Sequence, residues 1–586
     1  MRLVRRLDLS TGEQGSGAVE PNLLVGYLGG SGLGARLMAD ADLSLPPLHP
    51  DLPLVVSAGS LTDTGFPGAN RICFFGVSPL TGLTAGSWMG GDFGTAFART
   101  GTLALVLEGR AAQPSIVVVR EDGVQVVPRP DLWGLTVSET RAALEREYAE
   151  LRAAVIGPAG ERLVSTACVR GDESHSAGRC GLGAVLGSKN VKAIVALGRA
   201  RMPIADLDGL KAVTREAMQA IRDSSFLMQV QGPISTPNLV APVNEFHAFP
   251  TGNHRERYFP AAERIYGERI AEEYVFRRTT CPACPVRCRL HVRVDGEELE
   301  AAEYETVWSF GADNCVDDYA LIARANALCN DLGIDTISTG NTVAFYREYT
   351  GTLDDPSNIL PLVRKIGYRE GEGDLLAQGT RAAARQLGVD YAMQVKGLEL
   401  AAYDPRKLTG MAISYSTANR GGCHSRAWTV GDELGGADFS GPELAEMVAR
   451  YHDAGCVRDS LIVCTFMAGT LQPFYARALS AVLGHLFTDE ELAITGERIY
   501  TLERALNVRR GVNASLDVLP RRIQEGLVAP DKYREGMRAY YQLRDWDANG
   551  HPRPGKLAAL GLVSLECGSH AAAFHPGDGK GQERSR

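Results

Sequence analysis

Cys281-Pro-Ala-Cys284-Pro-Val-Arg-Cys288 places three thiols within eight residues, and its reading decides how the rest of the chain is understood. The two prolines exclude a helix interior, because proline lacks the N–H and clashes with the preceding turn. They fix φ in a loop that can wrap its sulfurs around one centre. Soft thiolates favour zinc or an iron–sulfur cluster, and either needs a fourth ligand from elsewhere in the chain. Zinc loops tend to bring a second cysteine pair at short spacing, and none follows. A cubane cluster is therefore the first reading, and a structural four-cysteine zinc loop the second.

Working outward, 586 residues exceed what one core can hold, so about three or four domains are expected. A hydrophobic content of 45% and a charged content of 22% describe an ordinary soluble globular protein. A net charge of −9 argues against general nucleic-acid binding, which shows as a basic surplus. The twelve cysteines are scattered apart from the triplet and do not form a secreted disulfide framework. The start, Met1-Arg-Leu-Val-Arg-Arg-Leu-Asp-Leu, lacks the apolar run of a signal peptide. No stretch approaches the ~20 apolar residues of a membrane span. A cytoplasmic protein without nucleic-acid or membrane partners is expected.

Up to about Arg201 the sequence alternates short apolar runs with turn residues. Leu52 to Ala58, Thr102 to Leu107, Ser115 to Val119, Val124 to Val127 and Val191 to Leu197 read as strands, with Asp122-Gly123 as a hairpin turn. Few helices fit between them apart from Thr136 to Leu151. Gly29-Gly30-Ser31-Gly32-Leu33-Gly34-Ala35-Arg36 misses the dinucleotide fingerprint and follows no clean strand, so it reads as a tight turn against a ligand or neighbouring strand. Gly86-Ser87-Trp88-Met89-Gly90-Gly91 and Ala177-Gly178-Arg179-Cys180-Gly181-Leu182-Gly183-Ala184 are dense enough in glycine to bring backbone N–H groups against a phosphate or planar ring. Arg71 and Arg179 are either forks for phosphate oxygens or surface arginines beside turns.

After Arg201-Met-Pro-Ile-Ala-Asp206 the chain becomes mostly helical, beginning with Asp208 to Asp223. Asp318 to Leu332 carries one apolar stripe, Gly333 stops it, and Asp335 caps the next helix. Asn330, Asp331 and Asp335 thus gather at a helix–helix corner, where capping alone would account for them. Glu300, Glu303 and Glu305 precede Thr306-Val-Trp-Ser-Phe310, where partial desolvation would raise a carboxylate towards acid–base use. His424 lies in Thr417-Ala-Asn-Arg-Gly-Gly-Cys-His-Ser-Arg426, a loop rich in glycine and polar donors, either as a functional group or as a hydrogen-bonded loop histidine. Asp459-Ser-Leu-Ile-Val-Cys464 follows a helix over Pro442 to Tyr451. The polar residues after about Ser569 read as a disordered tail.

With these motifs in order, the chain resembles the tungsten-dependent aldehyde:ferredoxin oxidoreductase family over nearly its whole length. The Arg71, Ser78-Pro79 and Gly90-Gly91 block, Gly178 to Ala184, the cysteine triplet, Glu303-Tyr-Glu-Thr306, Gly333 to Gly340 and Asn419-Arg-Gly421 all fall in register. The resemblance implies an α+β fold, an N-terminal two-sheet pterin-binding domain followed by two mainly α-helical domains. Residues 1–205 would saddle the pterins, 206–400 would carry the triplet and a first pterin loop, and 401–568 a second pterin loop and the fourth cysteine, leaving 569–586 as tail. It also implies tungsten or molybdenum held by two pyranopterin dithiolenes, a [4Fe–4S] cluster, and Mg2+ bridging the pterin phosphates.

The family binds each pterin by a D-x-x-G-L-(C/D) loop. Its counterparts here are Asn330-Asp-Leu-Gly-Ile-Asp335, with Asn for the leading Asp, and Asp459-Ser-Leu-Ile-Val-Cys464, which lacks the Gly. By this resemblance Cys281, Cys284, Cys288 and Cys464 hold the cluster, with Cys315 as a rival for the fourth place. Arg71, Gly90, Gly91, Arg179, Gly181, Asn330, Asp331, Gly333, Asp335, Arg426 and Asp459 would bind cofactor.

Glu305 would take a proton from the attacking water, and His424 would orient the substrate oxygen or relay a proton. The implied reaction is oxidation of an aldehyde with water to a carboxylic acid, electrons leaving to ferredoxin or a partner iron–sulfur subunit. Reduction of an aromatic thioester ring within a larger complex is the rival direction. Trp88 and Asn330 depart from the family pattern and support a third reading, an iron–sulfur scaffold that has lost its pterin. No E-x-x-H pair occurs, so no metal bridging two subunits is expected, although a homodimer or hetero-oligomer remains compatible.

Overall fold

A computed structural model describes residues 2–148, 150–171 and 175–563, so the expected tail lies outside the described residues. The first two hundred residues form two mixed six-stranded sheets. One contains β1 (Leu3–Asp8), β2 (Gln14–Ala18), β3 (Leu54–Ser57), β4 (Ile72–Val77), β5 (Thr84–Met89) and β6 (Thr102–Glu108), in the order β2-β1-β6-β3-β4-β5. The other contains β7 (Ser115–Arg120), β8 (Val124–Pro128), β9 (Ala153–Val155), β10 (Val169–Arg170), β11 (Ser176–Ala177) and β12 (Val191–Leu197), in the order β11-β10-β9-β12-β7-β8. Each sheet has a single parallel pairing, β1 with β6 and β7 with β12. β3, β4 and most of β6 and β12 are buried on both faces, which is why they read as unbroken apolar runs.

Three sequence expectations need correction here. The glycine run is a buried helix, α1 (Gly30–Met38), rather than a turn, with Gly29 at φ 121° before it. Glycine hides helix in a propensity reading, but packing decides this segment. A Cβ on Gly30 would stand 2.5 Å from the Asp459 carbonyl oxygen, and one on Gly34 would meet the Phe75 ring. The helix expected over Thr136 to Leu151 spans Val137–Glu145, opened by a capping box between Thr136 and Glu139. Phe93–Ala98 and Leu182–Ser188 are further helices among the strands.

The remainder is mostly helical, with one exception. β13 (Val275–Thr279), β14 (Arg289–Val294) and β15 (Glu297–Glu300) form a small antiparallel sheet, and the cysteine triplet is the loop between β13 and β14. α2 (Tyr304–Phe310) follows, then α3 (Tyr319–Leu332) and α4 (Thr336–Thr350). As read from sequence, Gly333 ends α3 at φ 72° and Asp335 caps α4 through the Ile337 and Ser338 N–H groups, while Asp318 caps α3 through the Ala320 N–H. α5 (Gly441–Leu461) runs ten residues past the expected Tyr451, so Asp459 lies in its last turn. Ile462 then turns left-handed at φ 65° and delivers Cys464.

Gly30 is where the sheet half touches this turn. Gly30→Ala is expected to cost about 1–3 kcal/mol by overpacking. A lowered thermal unfolding midpoint checks this, and an unchanged midpoint would contradict the contact.

Candidate active site

The loop chemistry comes first. Cys284 N–H closes a turn onto the Cys281 carbonyl at 3.2 Å, and Ala283 and Arg287 each take φ 56° to bring the following cysteine round. Cys464 is fixed from the opposite side by its N–H to the Gly68 carbonyl at 3.0 Å. Cys284, Cys288 and Cys464 pack against one apolar cluster, and all four thiols line one cavity of about 1300 Å³. Cys315 is exposed elsewhere, beside Gly252. Among the described residues no three His, Cys, Asp or Glu side chains converge tightly enough for one metal ion.

Two basic side chains face these sulfurs. Arg71 Nη2 lies 3.5 Å from Cys464 Sγ, and although burial works to lower the Arg71 pKa, Cys464 and Cys281 raise it further. His175 Nε2 stands 3.3 Å from Cys281 Sγ. Burial pushes the Cys281 pKa up, but His175 and the Gly91 N–H overcome it and bring it down to about 7. Gly90 makes this possible, since a Cβ there would sit 2.4 Å from the His175 ring. Cys284, with less support, is raised by burial to about 11. Sequence reading overlooked His175, whose one signal was its place just before the Gly178 motif.

The two six-residue motifs diverge in use. Asp459 lies between Arg426 and Arg458 at 2.9 and 2.8 Å, and these arginines outweigh burial to hold its pKa below the usual carboxylate range. Arg426 also grips Glu503. Trp88 straps this corner. Its indole N–H donates to the Asp459 carbonyl at 3.1 Å, and Arg420 and Arg426 lie over its ring at 5.0 and 5.2 Å.

At the first motif Asp335 lies 3.5 Å from Arg179 Nε, and both line the cavity. Arg179 is buried, not a surface arginine, and donates to the Glu399 carbonyl at 2.7 Å. Asp331 faces away from the cavity and accepts from the Ser138 N–H at 2.9 Å. Gly181 and Gly333 also lie outside the cavity wall, at close approaches to Ser165 and Gly157.

Asn330 has a specific partner. Its Nδ2 donates to Glu300 Oε2 at 2.8 Å, beside the 3.1 Å pair of Glu300 with Arg170. An aspartate there would set a second carboxylate against a buried one. Asn330→Asp is expected to destabilise the fold by about 1–3 kcal/mol. Burial raises the Glu300 pKa, so the loss should grow as pH rises and both carboxyls are forced to ionise. Thermal midpoints at acid and alkaline pH check this. A penalty independent of pH would contradict it.

All three glutamates line the cavity, and of the three Glu305 has a buried oxygen without a partner. Glu300 is paired, and Glu303 accepts from Thr236 and Ser235. Glu305 Oε2 accepts from the Ala402 N–H at 3.1 Å, leaving Oε1 buried without a partner. Burial lifts its pKa to about 8. His424 Nε2 is 3.6 Å from Oε1, and its own Nδ1 is buried without a partner. Burial and then Arg179, Arg420 and Arg458 push the His424 pKa well down, so this is a contact between neutral groups near pH 7, not an ion pair. Tyr403 and Trp428 stand beside them, Tyr403 with its ring centroid 5.8 Å from that of His424.

The site carries unmet polar capacity toward one enclosed space. Glu305 Oε1, His424 Nδ1 and Arg179 Nε lack hydrogen-bond partners, and Arg71, Arg420, Arg426 and Arg458 line the same wall. This donor set fits a large anionic group next to the four thiols.

Comparisons with known proteins agree in extent. A family model described as aldehyde ferredoxin oxidoreductase, N-terminal domain, matches residues 4–198, and one described as domains 2 and 3 of the same family matches 212–562. A tungsten-containing aldehyde ferredoxin oxidoreductase of Pyrococcus furiosus is 35% identical, covering 96% of this chain and 98% of that protein. One from Thermococcus kodakarensis is 34% identical with the same coverage. Among solved structures, the active site complex BamBC of benzoyl coenzyme A reductase with 1,5-dienoyl-CoA shares the fold, with a TM-score of 0.85 over 96% of this chain and 97% of that one at 23% identity.

Proposed function

The chain belongs to the aldehyde ferredoxin oxidoreductase family, and from that premise we propose how its residues carry the reaction. It is an oxidoreductase that converts an aldehyde and water to a carboxylic acid, two protons and two electrons, the electrons passing to ferredoxin. When bound, the tungsten- or molybdenum-pterin group supplies a Lewis acid and two-electron acceptor, and the iron–sulfur cluster a one-electron exit. Cys281, Cys284, Cys288 and Cys464 would hold the cluster. Arg179, Arg426 and the Asp335 and Asp459 corners would hold the pterins, and Arg71 would lie against the cluster thiols.

Glu305 takes the proton from the water that attacks the carbonyl carbon. Its raised pKa keeps that carboxylate basic enough for the transfer, which a solvated glutamate is not. His424, held neutral, donates one N–H to the substrate oxygen and fixes the carbonyl face presented to the water. The buried wall around them excludes bulk water and strengthens both interactions.

The observation that carries this reading is that one cavity is lined both by the four thiols and by the unpartnered atoms of Glu305 and His424. The test is aldehyde-dependent reduction of ferredoxin by protein purified without oxygen from cells given tungstate. Turnover with an aromatic thioester and none with any aldehyde would overturn it.

A further inference from the structure

The cysteine loop has an outer side as well as an inner one. Cys281 and Cys284 line both the main cavity and a shallow surface groove of about 660 Å³, whose other walls include Met218, Pro282, Ala283 and Pro285 together with Asp92 and Arg289, one charge of each sign. Pro282 and Ala283 are exposed at its rim, so a single turn of chain separates the thiols from solvent.

Charge around this turn runs against that of the whole molecule. The chain carries −9, yet Arg277 and Arg278 project from β13, an edge strand, and Arg287 from the loop itself, all exposed. None of the three makes an ion pair with a described residue. Arg277 Nη2 lies 3.2 Å from His291 Nδ1 and its guanidinium sits over the Phe276 ring at 6.0 Å, and Arg287 Nη2 donates to the Arg278 carbonyl at 3.2 Å. The acids of the small sheet lie at its opposite edge, where Glu298 is held by Arg293 at 2.7 Å. Phe276, 37% exposed, sits beside the arginines with Arg293 stacked on its ring at 4.6 Å. Unpaired arginines, an exposed aromatic and a shallow groove are the make-up of a recognition surface.

We propose that this surface, formed by Arg277, Arg278, Arg287, Phe276 and the Pro282-Ala283 turn, docks an acidic one-electron carrier protein over the cysteine loop. The proposal rests on the aldehyde-oxidising reading, in which each acid formed releases two electrons singly, so that two carriers are reduced per turnover. The molecule's overall field repels an acidic carrier, and the local basic rim supplies the attraction that orients it.

The test uses the metal-loaded enzyme and, as probe, a single-cluster ferredoxin of net negative charge, a one-electron carrier. Binding is measured by surface plasmon resonance, and turnover both with ferredoxin and with a small viologen dye. In the wild type, affinity should fall steeply with added salt. The double variant Arg277→Glu, Arg278→Glu should raise Kd and the KM for ferredoxin by about 10- to 100-fold, with kcat at saturation and dye turnover within about twofold of wild type. A matched charge change on a distant helix, Arg534→Glu with Arg538→Glu, should move Kd by less than about threefold. Arg287→Glu gives a second variant if the strand substitutions impair folding. Wild-type binding indifferent to salt, or a double variant that binds as wild type does, would overturn the proposal. Absent aldehyde turnover with intact, salt-sensitive binding would instead sink the activity reading and leave the docking surface standing.

Discussion

Replacing Glu305 by glutamine is expected to lower kcat for aldehyde oxidation by about 10²- to 10⁴-fold, the range by which positioned general bases act. Glutamine keeps the shape and the hydrogen bond from the Ala402 N–H but cannot accept the proton from water. The wild-type enzyme should show a matching pH dependence. Below about 8 the Glu305 carboxyl is held protonated by burial, so the rate should rise with pH through that value and then level off, and the variant should lose this limb. The same shift works against the fold. A carboxyl whose folded pKa lies above its unfolded one gives its full stability at acid pH and loses it as pH rises through the folded value. Glu305→Gln should therefore hold the alkaline unfolding midpoint at or above that of wild type while abolishing turnover. A variant with wild-type kcat across the neutral and alkaline range would remove Glu305 from the chemistry.

Cys464→Ala should have the other large effect. The fourth thiol comes from a turn 176 positions beyond Cys288, and its loss leaves three sulfurs and an unmatched Arg71 charge at the site. Bound iron should fall from about four atoms per chain to three or fewer, with the visible iron–sulfur absorption bleached or shifted. Aldehyde-dependent ferredoxin reduction should drop by at least about 100-fold, because the one-electron exit is lost. Cys315→Ala should leave iron content and activity unchanged. If the two variants behaved in the reverse way, the ligand set would have to be redrawn around Cys315.

Much of this site was legible in the sequence because its residues obey local rules. Proline between thiols demands a loop, Gly333 ends a helix, and Asp335 begins the next, each by chemistry confined to a few neighbours. The Asp459 to Cys464 spacing survived the loss of its glycine because Ile462 takes the left-handed turn in its place. What stayed hidden depends on partners far away in the chain. Trp88 and Asn330 looked like departures that weaken a cofactor site. In the folded chain Trp88 ties down the Asp459 turn and Asn330 satisfies the buried Glu300. Neither partner can be read from its local sequence.

Asp331 differs in another way, since it stands in a motif expected to bind cofactor and in the structure accepts from the Ser138 N–H in the first turn of the Val137–Glu145 helix. The helix at Gly30–Met38 was missed because its glycines serve tight contacts with Asp459, Ser460 and Phe75, which no propensity scale records. The three-stranded sheet that presents the cysteine loop was missed for a related reason. β13 and β15 are short, charged and largely exposed, and they carry no apolar alternation.

The most direct test of the central claim is metal analysis by mass spectrometry of wild-type protein purified without oxygen. The proposed cluster on the four thiols, beside a cavity proposed to hold the pterins, predicts about four irons and about one tungsten or molybdenum per chain. One zinc per chain, with neither iron nor tungsten nor molybdenum, would contradict it.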